Sequence, residues 1–337
     1  MGKRLTGGSW ARGAVRAASC VVALIAGLAM LAATTGALAH APARSAEKMK
    51  IILDTDLGDD IDDIYALALL ATRPDVELLG VTTAWGETHE RAELAAKFLK
   101  LIGRSDVPVY AGRRGDAKIR EQYLWARGFT SRAMKSEEAV AFLKRSFDQR
   151  PGEVTLVAIG PLVNVGDLLT RYPEVKPKIK RIVIMGGAVH VGYNNQSPPV
   201  AEWNIKCDPA AAKTLYQSGV PLVMAGLEVT TMMKLDAARQ RRIYACGTPL
   251  TDALAALTQL WGNGVPTLYD PVAISYALGE SHCAEERRHV TVTDVGMTVA
   301  GDGPPNCTVL VNAQKDAWLD WYVDQIVASQ APAQKQP

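Results

Sequence analysis

Residues 49–71 constrain the fold more than any other stretch of the chain. The stretch opens with an apolar run at residues 51–53, short enough for a buried strand, and ends in apolar residues spaced as in a helix. Between the two lie six aspartates within ten residues: Asp54, Asp56, Asp59, Asp60, Asp62 and Asp63. The acids therefore fall where a strand ends and a helix begins, which is where open α/β sheets bind their ligands.

Six carboxylates this close together repel one another, and a bound cation is the simplest way to relieve the repulsion. Hard oxygen ligands of this kind favour Ca²⁺ or Mg²⁺. A solvated acidic loop, with one aspartate capping the helix, would account for one or two of the acids but not for all of them. The stretch therefore predicts a divalent-cation site at the end of the first strand.

Strand, loop and helix alternate along most of the remaining chain. Further strands are predicted at residues 76–83, 107–111, 154–159, 182–185 and 222–225. Helices are predicted among them at residues 88–102, 137–147, 164–171 and from residue 208 onward. This alternation predicts an α/β fold, with an open, mainly parallel sheet flanked by helices on both faces. Two late strands, at residues 290–292 and 308–311, are expected to pair as a hairpin across the turn at residues 301–304.

The first 39 residues have the pattern of a secretory signal peptide. Four basic residues come before an apolar run at residues 17–33, and an A-x-A cleavage site ends at Ala39. The run is a little short for a membrane span, so a cleaved signal is favoured over a retained anchor. We therefore predict a periplasmic or secreted protein with no stable membrane anchor after cleavage. A tail at residues 40–48 and a single domain at residues 49–330 would follow the signal.

Charge and cysteine content narrow the possibilities further. The formal net charge of +2 gives no indication of a nucleic-acid partner. After cleavage the chain would keep four cysteines: Cys207, Cys246, Cys283 and Cys307. In an exported protein these permit two disulfides in three possible pairings, and Cys283–Cys307 is favoured because both lie in loop-like sequence. The sequence has no C-x-x-C, so a zinc or thioredoxin-like site is not indicated.

Three further places put polar groups at predicted strand ends or loops. Ile159 ends a buried strand, where its backbone carbonyl is available to a metal ion. Glu202 and Asn204 suit a diol, because the carboxylate accepts hydrogen bonds and the amide both donates and accepts them. Asp270 stands before Pro271 at the start of a predicted helix, so it is expected to cap that helix, and a capping aspartate can also bind a metal. Each of these residues, taken alone, also fits an ordinary structural role.

Seven blocks of the chain, taken in order, resemble the inosine-uridine preferring nucleoside hydrolase family. Residues 54–63, DTDLGDDIDD, resemble the family's N-terminal signature D-x-D-x-G-x-D-D. The other blocks are VTT at 81–83, GPL at 160–162 with Asn164, MGG at 185–187, AEWNI at 201–205 with Asp208-Pro209, GL at 226–227 with Val229-Thr230, and YDP at 269–271. An ordered set of this kind is far more specific than a single motif, and it covers the chain from about residue 49 to the C-terminus.

The resemblance implies a calcium-dependent enzyme that cleaves the N-glycosidic bond of ribonucleosides to ribose and free base. It implies four calcium ligands: Asp56, Asp63, the backbone carbonyl of Ile159, and Asp270. It also implies that Asp56 accepts a proton from the calcium-bound water that attacks the sugar. The ribose contacts that it implies are Asp62, Glu202, Asn204 and either Asn194 or Asn195, with Asp54 as a support behind them. Family members are often dimers or tetramers, so a homodimer or homotetramer is expected.

The chain departs from the family pattern at the position expected to protonate the leaving base. Tyr269 stands where many members have a histidine, and a phenol of ordinary pKa is a weaker acid than an imidazolium at neutral pH. Three explanations stay open: Tyr269 itself acts, His190 or a residue of the flap-like segment 112–130 acts, or the leaving group needs little help.

Other departures concern the acidic signature and two single positions. Asp59 and Asp60 lengthen the signature by two residues. We align the following pair, Asp62-Asp63, with the family's acids because the helix is predicted to begin behind them, which leaves Asp60 as a rival ligand. The last departures are Glu87, where asparagine is frequent, and Ile159, where threonine is frequent.

Two other classes of protein share part of this pattern. Magnesium-dependent phosphatases of the haloacid dehalogenase type also begin with a strand and D-x-D, but the chain has no convincing later acidic pair. A non-catalytic exported protein that binds nucleosides or ribose would explain the missing histidine at Tyr269. The ordered blocks favour the hydrolase over both alternatives.

Overall fold

Parallel strands make up most of the central sheet. The computed structural model describes residues 47–280 and 282–329. Its strands are β1 (Met49–Thr55), β2 (Val76–Thr83), β3 (Val109–Ala111), β4 (Met134–Lys135), β5 (Thr155–Ala158), β6 (Arg181–Met185), β7 (Leu222–Ala225), β8 (Ala284–Val292), β9 (Thr298–Gly301) and β10 (Cys307–Val311). Within the described ranges these strands form one sheet in the order β4-β3-β2-β1-β5-β6-β7-β10-β8-β9.

Only β8 runs against the common direction of the strands. Every pair of neighbours from β4 to β10 in this order is parallel. Strand β8 is antiparallel to β10, and β9 is antiparallel to β8. The predicted open, mainly parallel sheet is therefore confirmed.

Helices cover both faces of the sheet, as predicted. They are α1 (Asp62–Thr72), α2 (Thr88–Leu101), α3 (Ala139–Gln149), α4 (Val163–Arg171), α5 (Trp203–Cys207), α6 (Pro209–Tyr216), α7 (Leu227–Thr230), α8 (Ala237–Tyr244), α9 (Pro249–Trp261), α10 (Tyr269–Ala277) and α11 (Lys315–Ala328). Successive side chains of a strand point to opposite faces. Ile51 and Leu53 of β1 therefore lie in one hydrophobic core with α1 and α2, whereas Ile52 lies in the other with α3 and α4.

The two predicted late strands lie in β8 and β10, which do pair with each other in antiparallel fashion, but the prediction that they form a hairpin is wrong. Strand β8 is longer than expected and forms its hairpin with β9, while β10 pairs with the other edge of β8. The turn at residues 301–304 thus leads from β9 to β10, two strands that are not neighbours. The four residues of β9 are too few to carry a clear alternating pattern, which is why the sequence did not indicate them.

The favoured disulfide is also wrong. Cys307 carries a free thiol, which donates a hydrogen bond to the carbonyl of Thr308. Cys307 belongs to the hydrophobic core on one face of the sheet, and Cys283 packs against the core on the other face. The sheet itself keeps the two sulfur atoms apart.

The predicted signal peptide, its cleavage site at Ala39 and most of the tail at residues 40–48 lie outside the described residues. The described residues, 47–280 and 282–329, pack as one unit. None of the helices in the described ranges combines the length and the apolar content that crossing a bilayer requires.

Candidate active site

The acidic stretch lies at the carboxyl end of β1, in the middle of the parallel sheet. Strand β1 pairs with β2 on one side and with β5 on the other. Asp56 follows the last residue of β1, and helix α1 begins at Asp62 and Asp63. Acidic side chains in the first turn of a helix interact favourably with its partial positive charge. The predicted succession of strand, acids and helix is therefore confirmed.

Three buried carboxylates meet at the start of two helices. Oxygen atoms of Asp62, Asp63 and Asp270 lie within 4.8 Å of one another. The backbone N–H of Asp270 donates to Oδ2 of Asp62 at 3.1 Å, and the hydroxyl of Thr55 donates to Oδ1 of Asp63 at 2.5 Å. The first bond ties the start of α10 to the start of α1, about two hundred residues apart in sequence, and the second ties α1 to the end of β1. The arrangement is a candidate metal site.

Asp56 and the carbonyl of Ile159 lie beside these acids. Both residues line one small cavity, of about 140 Å³, together with the three clustered aspartates. Gly160 leaves room for Asp56, because a Cβ at residue 160 would come within 2.6 Å of Oδ1 of Asp56. The side-chain N–H of Asn204 donates to the Ile159 carbonyl at 2.8 Å, and a carbonyl oxygen keeps a second lone pair for another partner.

Asp54 supports the site from behind. Its side chain is fully buried and does not line the cavity. Thr82 and Asn164 donate to its Oδ1 at 2.5 and 2.7 Å. Burial raises the pKa of Asp54 to about 6, although both hydrogen bonds oppose the shift. This placement agrees with a supporting role.

The electrostatics of the cavity favour a cation. Burial raises the pKa of Asp62, Asp63 and Asp270 well above the ordinary range, and repulsion from neighbouring carboxylates raises it further. Burial also raises the pKa of Asp56 to about 7, against the charge of Arg91, which lowers it. Buried carboxylates that crowd together stay ionised at neutral pH when positive charge or hydrogen-bond donors compensate them. A donor set made only of oxygen atoms with several negative charges fits Ca²⁺.

Glu202 and Asn204 reach the same cavity from helix α5. Glu202 caps this helix, with Oε1 accepting the N–H of Asn204 at 3.0 Å and Oε2 accepting that of Ile205 at 3.2 Å. Gly187 also donates its N–H to Oε2 of Glu202, at 2.9 Å. Gly187 has φ of +88°, and a Cβ there would come within 2.8 Å of Met224, so the position requires glycine. The predicted diol-binding pair therefore faces the acids.

Three aromatic residues complete the cavity: Tyr193, Trp203 and Tyr269. The rings of Tyr193 and Tyr269 meet edge to face, with centroids 6.2 Å apart. Burial, aided by the charge of Asp62, raises the pKa of Tyr269 to about 12, so its hydroxyl is protonated at neutral pH. Tyr193 was not a predicted site residue. Its only signal in the sequence is an aromatic ring in the loop that carries Asn194 and Asn195.

The two loop asparagines do not join the cavity. Asn194 and Asn195 are exposed, and neither lines it. Lys234 donates to the side-chain oxygen of Asn194 at 3.2 Å. Their contact with ribose stays a prediction that this arrangement does not support.

The alternative leaving-group acids also lie elsewhere. The imidazole of His190 is 3.6 Å from the carboxylate of Glu286 and outside the cavity lining. None of the described residues 112–130 lines the cavity. Glu87 holds part of that segment instead, accepting hydrogen bonds from Lys118 at 2.9 Å and from the N–H of Ile119 at 3.2 Å. Among the residues predicted to protonate the leaving base, only Tyr269 faces the clustered carboxylates.

A buried arginine explains one of the two additional acids of the signature. Arg91 is fully buried, and its guanidinium donates to the carbonyls of Asp56, Leu57 and Trp85. Its remaining partner is Asp59, at 2.7 Å. Asp59 is therefore the counter-ion of a clamp on the loop that carries Asp56. Asp60 is exposed at the rim of the cavity.

Arg91→Met is expected to lower the free energy of unfolding by about 3 kcal/mol, because it leaves a half-buried carboxylate and three carbonyls without their donor. Urea denaturation followed by circular dichroism measures the change. Arg114→Met removes an exposed arginine of the neighbouring segment and serves as the matched control. An Arg91→Met midpoint equal to that of the control would show that the clamp does not hold the loop.

Comparison with known proteins agrees with the blocks identified in the sequence. The sequence model of the inosine-uridine preferring nucleoside hydrolase family matches residues 51–320. The pyrimidine-specific ribonucleoside hydrolase RihA of Salmonella arizonae is 32% identical over 310 residues, covering 82% of this chain and 98% of that protein. The protein of the same name from Citrobacter koseri is 31% identical, with the same coverage.

Solved structures share the fold. The plant nucleoside hydrolase PpNRh1 superposes with a TM-score of 0.74 at 24% identity, covering 84% of this chain and 99% of that one. The purine-preferring ribonucleoside hydrolase from Gardnerella vaginalis gives a TM-score of 0.73 at 25% identity, covering 83% and 99%. These matches exclude the alternative that the protein is a phosphatase of the haloacid dehalogenase type. The chain is an enzyme of the inosine-uridine preferring nucleoside hydrolase family.

Proposed function

We propose that the protein is exported and hydrolyses ribonucleosides to ribose and free base with the help of Ca²⁺. The observation that carries the proposal is one cavity in which four buried aspartates face a diol-binding pair: Asp56, Asp62, Asp63, Asp270, Glu202 and Asn204. Carboxylates that surround a sugar favour the positive charge that develops on it when the N-glycosidic bond breaks.

The residues that would hold Ca²⁺ are Asp56, Asp63, Asp270 and the carbonyl of Ile159. When bound, Ca²⁺ supplies positive charge that neutralises the carboxylates, orients oxygen ligands and makes a water molecule more acidic. The carboxylate of Asp62 lies with those of Asp63 and Asp270, and its Oδ2 already accepts a backbone N–H. Its Oδ1 is therefore the oxygen that would accept a hydrogen bond from a ribose hydroxyl.

Each side chain has one role in the proposed chemical step. Asp56 takes a proton from the water that attacks C1′ of the ribose. The C1′–N bond breaks, and its electron pair leaves with the base, which must then be protonated or stabilised. Glu202 and Asn204 hold the sugar hydroxyls, so the reacting carbon stays in line with the water.

Tyr269 is the proposed hydrogen-bond donor to the leaving base, because its hydroxyl is protonated at neutral pH and its ring lines the cavity. Tyr269→Phe is expected to lower kcat by about 10- to 100-fold. Initial rates on uridine and inosine measure the effect, and Tyr193→Phe is the matched control at the neighbouring ring. Unchanged rates on both nucleosides would exclude the hydroxyl as the donor.

A reducing-sugar assay over uridine, cytidine, inosine and adenosine tests the function itself. The expected result is ribose release that stops when a chelator removes Ca²⁺ and returns when Ca²⁺ is added back. Both kinds of base belong in the panel, because the relatives named above are described as pyrimidine-specific and purine-preferring. Tight nucleoside binding without ribose release over hours would favour the non-catalytic alternative. Fractionation of the source cells tests export.

A further inference from the structure

A second, larger cavity lies at the amino-terminal ends of the parallel strands, whereas the acidic site lies at their carboxyl ends. It has a volume of about 810 Å³, within the range of roughly 300–1,000 Å³ common for small-molecule sites. Arg181, Leu222 and Cys307, the first residues of β6, β7 and β10, line it. Strand β6 begins at this cavity and ends at Met185, which lines the acidic cavity. The two cavities therefore lie at opposite ends of β6, about 13 Å apart along the strand.

The charge of this cavity is the reverse of that of the active site. Arg181, Lys213, Arg287 and His289 line it, and its described lining contains no carboxylate. The three cations among them, Arg181, Lys213 and Arg287, come from three different elements, β6, α6 and β8, so their meeting is a product of the fold and not of one basic run in the sequence. Outside the lining, Glu285 accepts a hydrogen bond from Tyr276 at 3.0 Å, and the exposed Asp294 pairs with Lys213.

Two of the cations are placed to receive a ligand. Arg181 is held by a 2.9 Å bond from Nη2 to the carbonyl of Ala277 and lies 5.6 Å over the ring of Tyr276, and neither contact uses its Nη1. Arg287 stands on β8 opposite Thr308 of β10, and no ion pair joins it to any described carboxylate. By contrast, Arg288, the next residue of β8, pairs with Glu286 at 2.6 Å and does not line the cavity.

We propose that this cavity binds a phosphorylated small molecule. Guanidinium groups match the geometry of phosphate oxygens and are always charged, so two arginines and a lysine in a lining whose described residues include no carboxylate favour a doubly charged anion. The volume is too large for inorganic phosphate alone, and Tyr276, Pro304 and Pro305 supply an apolar wall for the organic part. The proposal is independent of nucleoside cleavage.

Isothermal titration of the purified protein with phenyl phosphate tests the site, because this probe has no ribose to engage the acidic cavity. We expect one saturable site with a Kd of about 1 mM or tighter. Phenol and inorganic phosphate should each bind more weakly, since each lacks one half of the probe. Phenol binding as tightly as phenyl phosphate would mean an apolar groove only, and inorganic phosphate binding as tightly would remove the organic part of the proposal.

Variants of the lining residues test whether phenyl phosphate binds in this cavity. The double variant Lys213→Gln/Arg287→Gln is expected to bind phenyl phosphate at least about tenfold more weakly. Arg288→Gln removes the same charge one residue away and should leave the affinity unchanged, as should Asp56→Asn in the other cavity. The proposal is overturned by an absence of saturable binding, by equal weakening in Arg288→Gln, or by loss of binding in Asp56→Asn.

Discussion

Asp56→Asn is expected to lower kcat for ribose release by about 10²- to 10⁴-fold, the usual contribution of a general base. Asparagine keeps the shape of the side chain and one oxygen atom, but it cannot accept the proton of the attacking water. The side chain is buried at 7% exposure and packs against Gly160, so an isosteric change should leave the fold intact. Steady-state ribose release from uridine measures the effect, and a melting curve checks that the variant folds.

The matched control lies in the same loop. Asp60→Asn makes the same chemical change at the rim of the cavity, where the side chain is exposed, and is expected to change kcat far less. If Asp60→Asn abolished ribose release while Asp56→Asn retained it, the assignment of the base within the lengthened signature would be wrong. Asp60 would then be the acid that serves the reaction.

Calcium is expected to stabilise the protein much more at pH 8 than at pH 5. In the metal-free protein Asp54 has a pKa of about 6 and Asp56 a pKa of about 7, while burial raises the pKa of Asp63 and Asp270 well above the ordinary range. Each group therefore binds its proton more tightly in the folded protein than in the unfolded chain. By linkage, the metal-free fold loses stability as the pH rises from about 4 through about 7.

Bound Ca²⁺ would replace those protons with positive charge. With the free cation at 1,000 times its Kd, binding to the folded state alone adds about 4 kcal/mol of stability. Thermal unfolding of exhaustively dialysed protein, with and without added Ca²⁺ at both pH values, measures the effect. Equal shifts in Tm at pH 5 and pH 8, or no shift at either, would contradict a calcium site built from these carboxylates.

Asp270→Asn separates the effect of buried negative charge on stability from the effect of calcium binding. It removes one buried negative charge, so the metal-free variant should be at least as stable as the wild type at pH 8. It also removes a proposed ligand, so the gain in Tm on adding Ca²⁺ should shrink. Asp252→Asn, at an exposed position of α9, is the matched control and should behave as the wild type. A full calcium response in Asp270→Asn would remove Asp270 from the ligand set.

Much of the fold and of the acidic site follows from local sequence. The elements recur in the order that a parallel sheet needs: short apolar strands, turns and helices with an apolar face. This order places Asp56, Ile159 and Asp270 together at the carboxyl ends of the strands. The order of the strands along the sheet and the additional strand β9 beside β8 did not follow, because they depend on contacts between segments that no local pattern specifies. Cys283 and Cys307 show the same limit, since they lie on opposite faces of the sheet.

Strand and helix periodicity are properties of neighbouring residues, so the run of aspartates between a buried strand and a helix could be predicted from local sequence. Which of those acids face the cavity depends on contacts with distant parts of the chain. Asp59 turns towards Arg91, thirty-two residues further along the chain, and Asp54 towards Asn164, whereas Asp62 and Asp63 meet Asp270. The direction of a buried charge is set by the partner that stabilises it, and that partner comes from the fold.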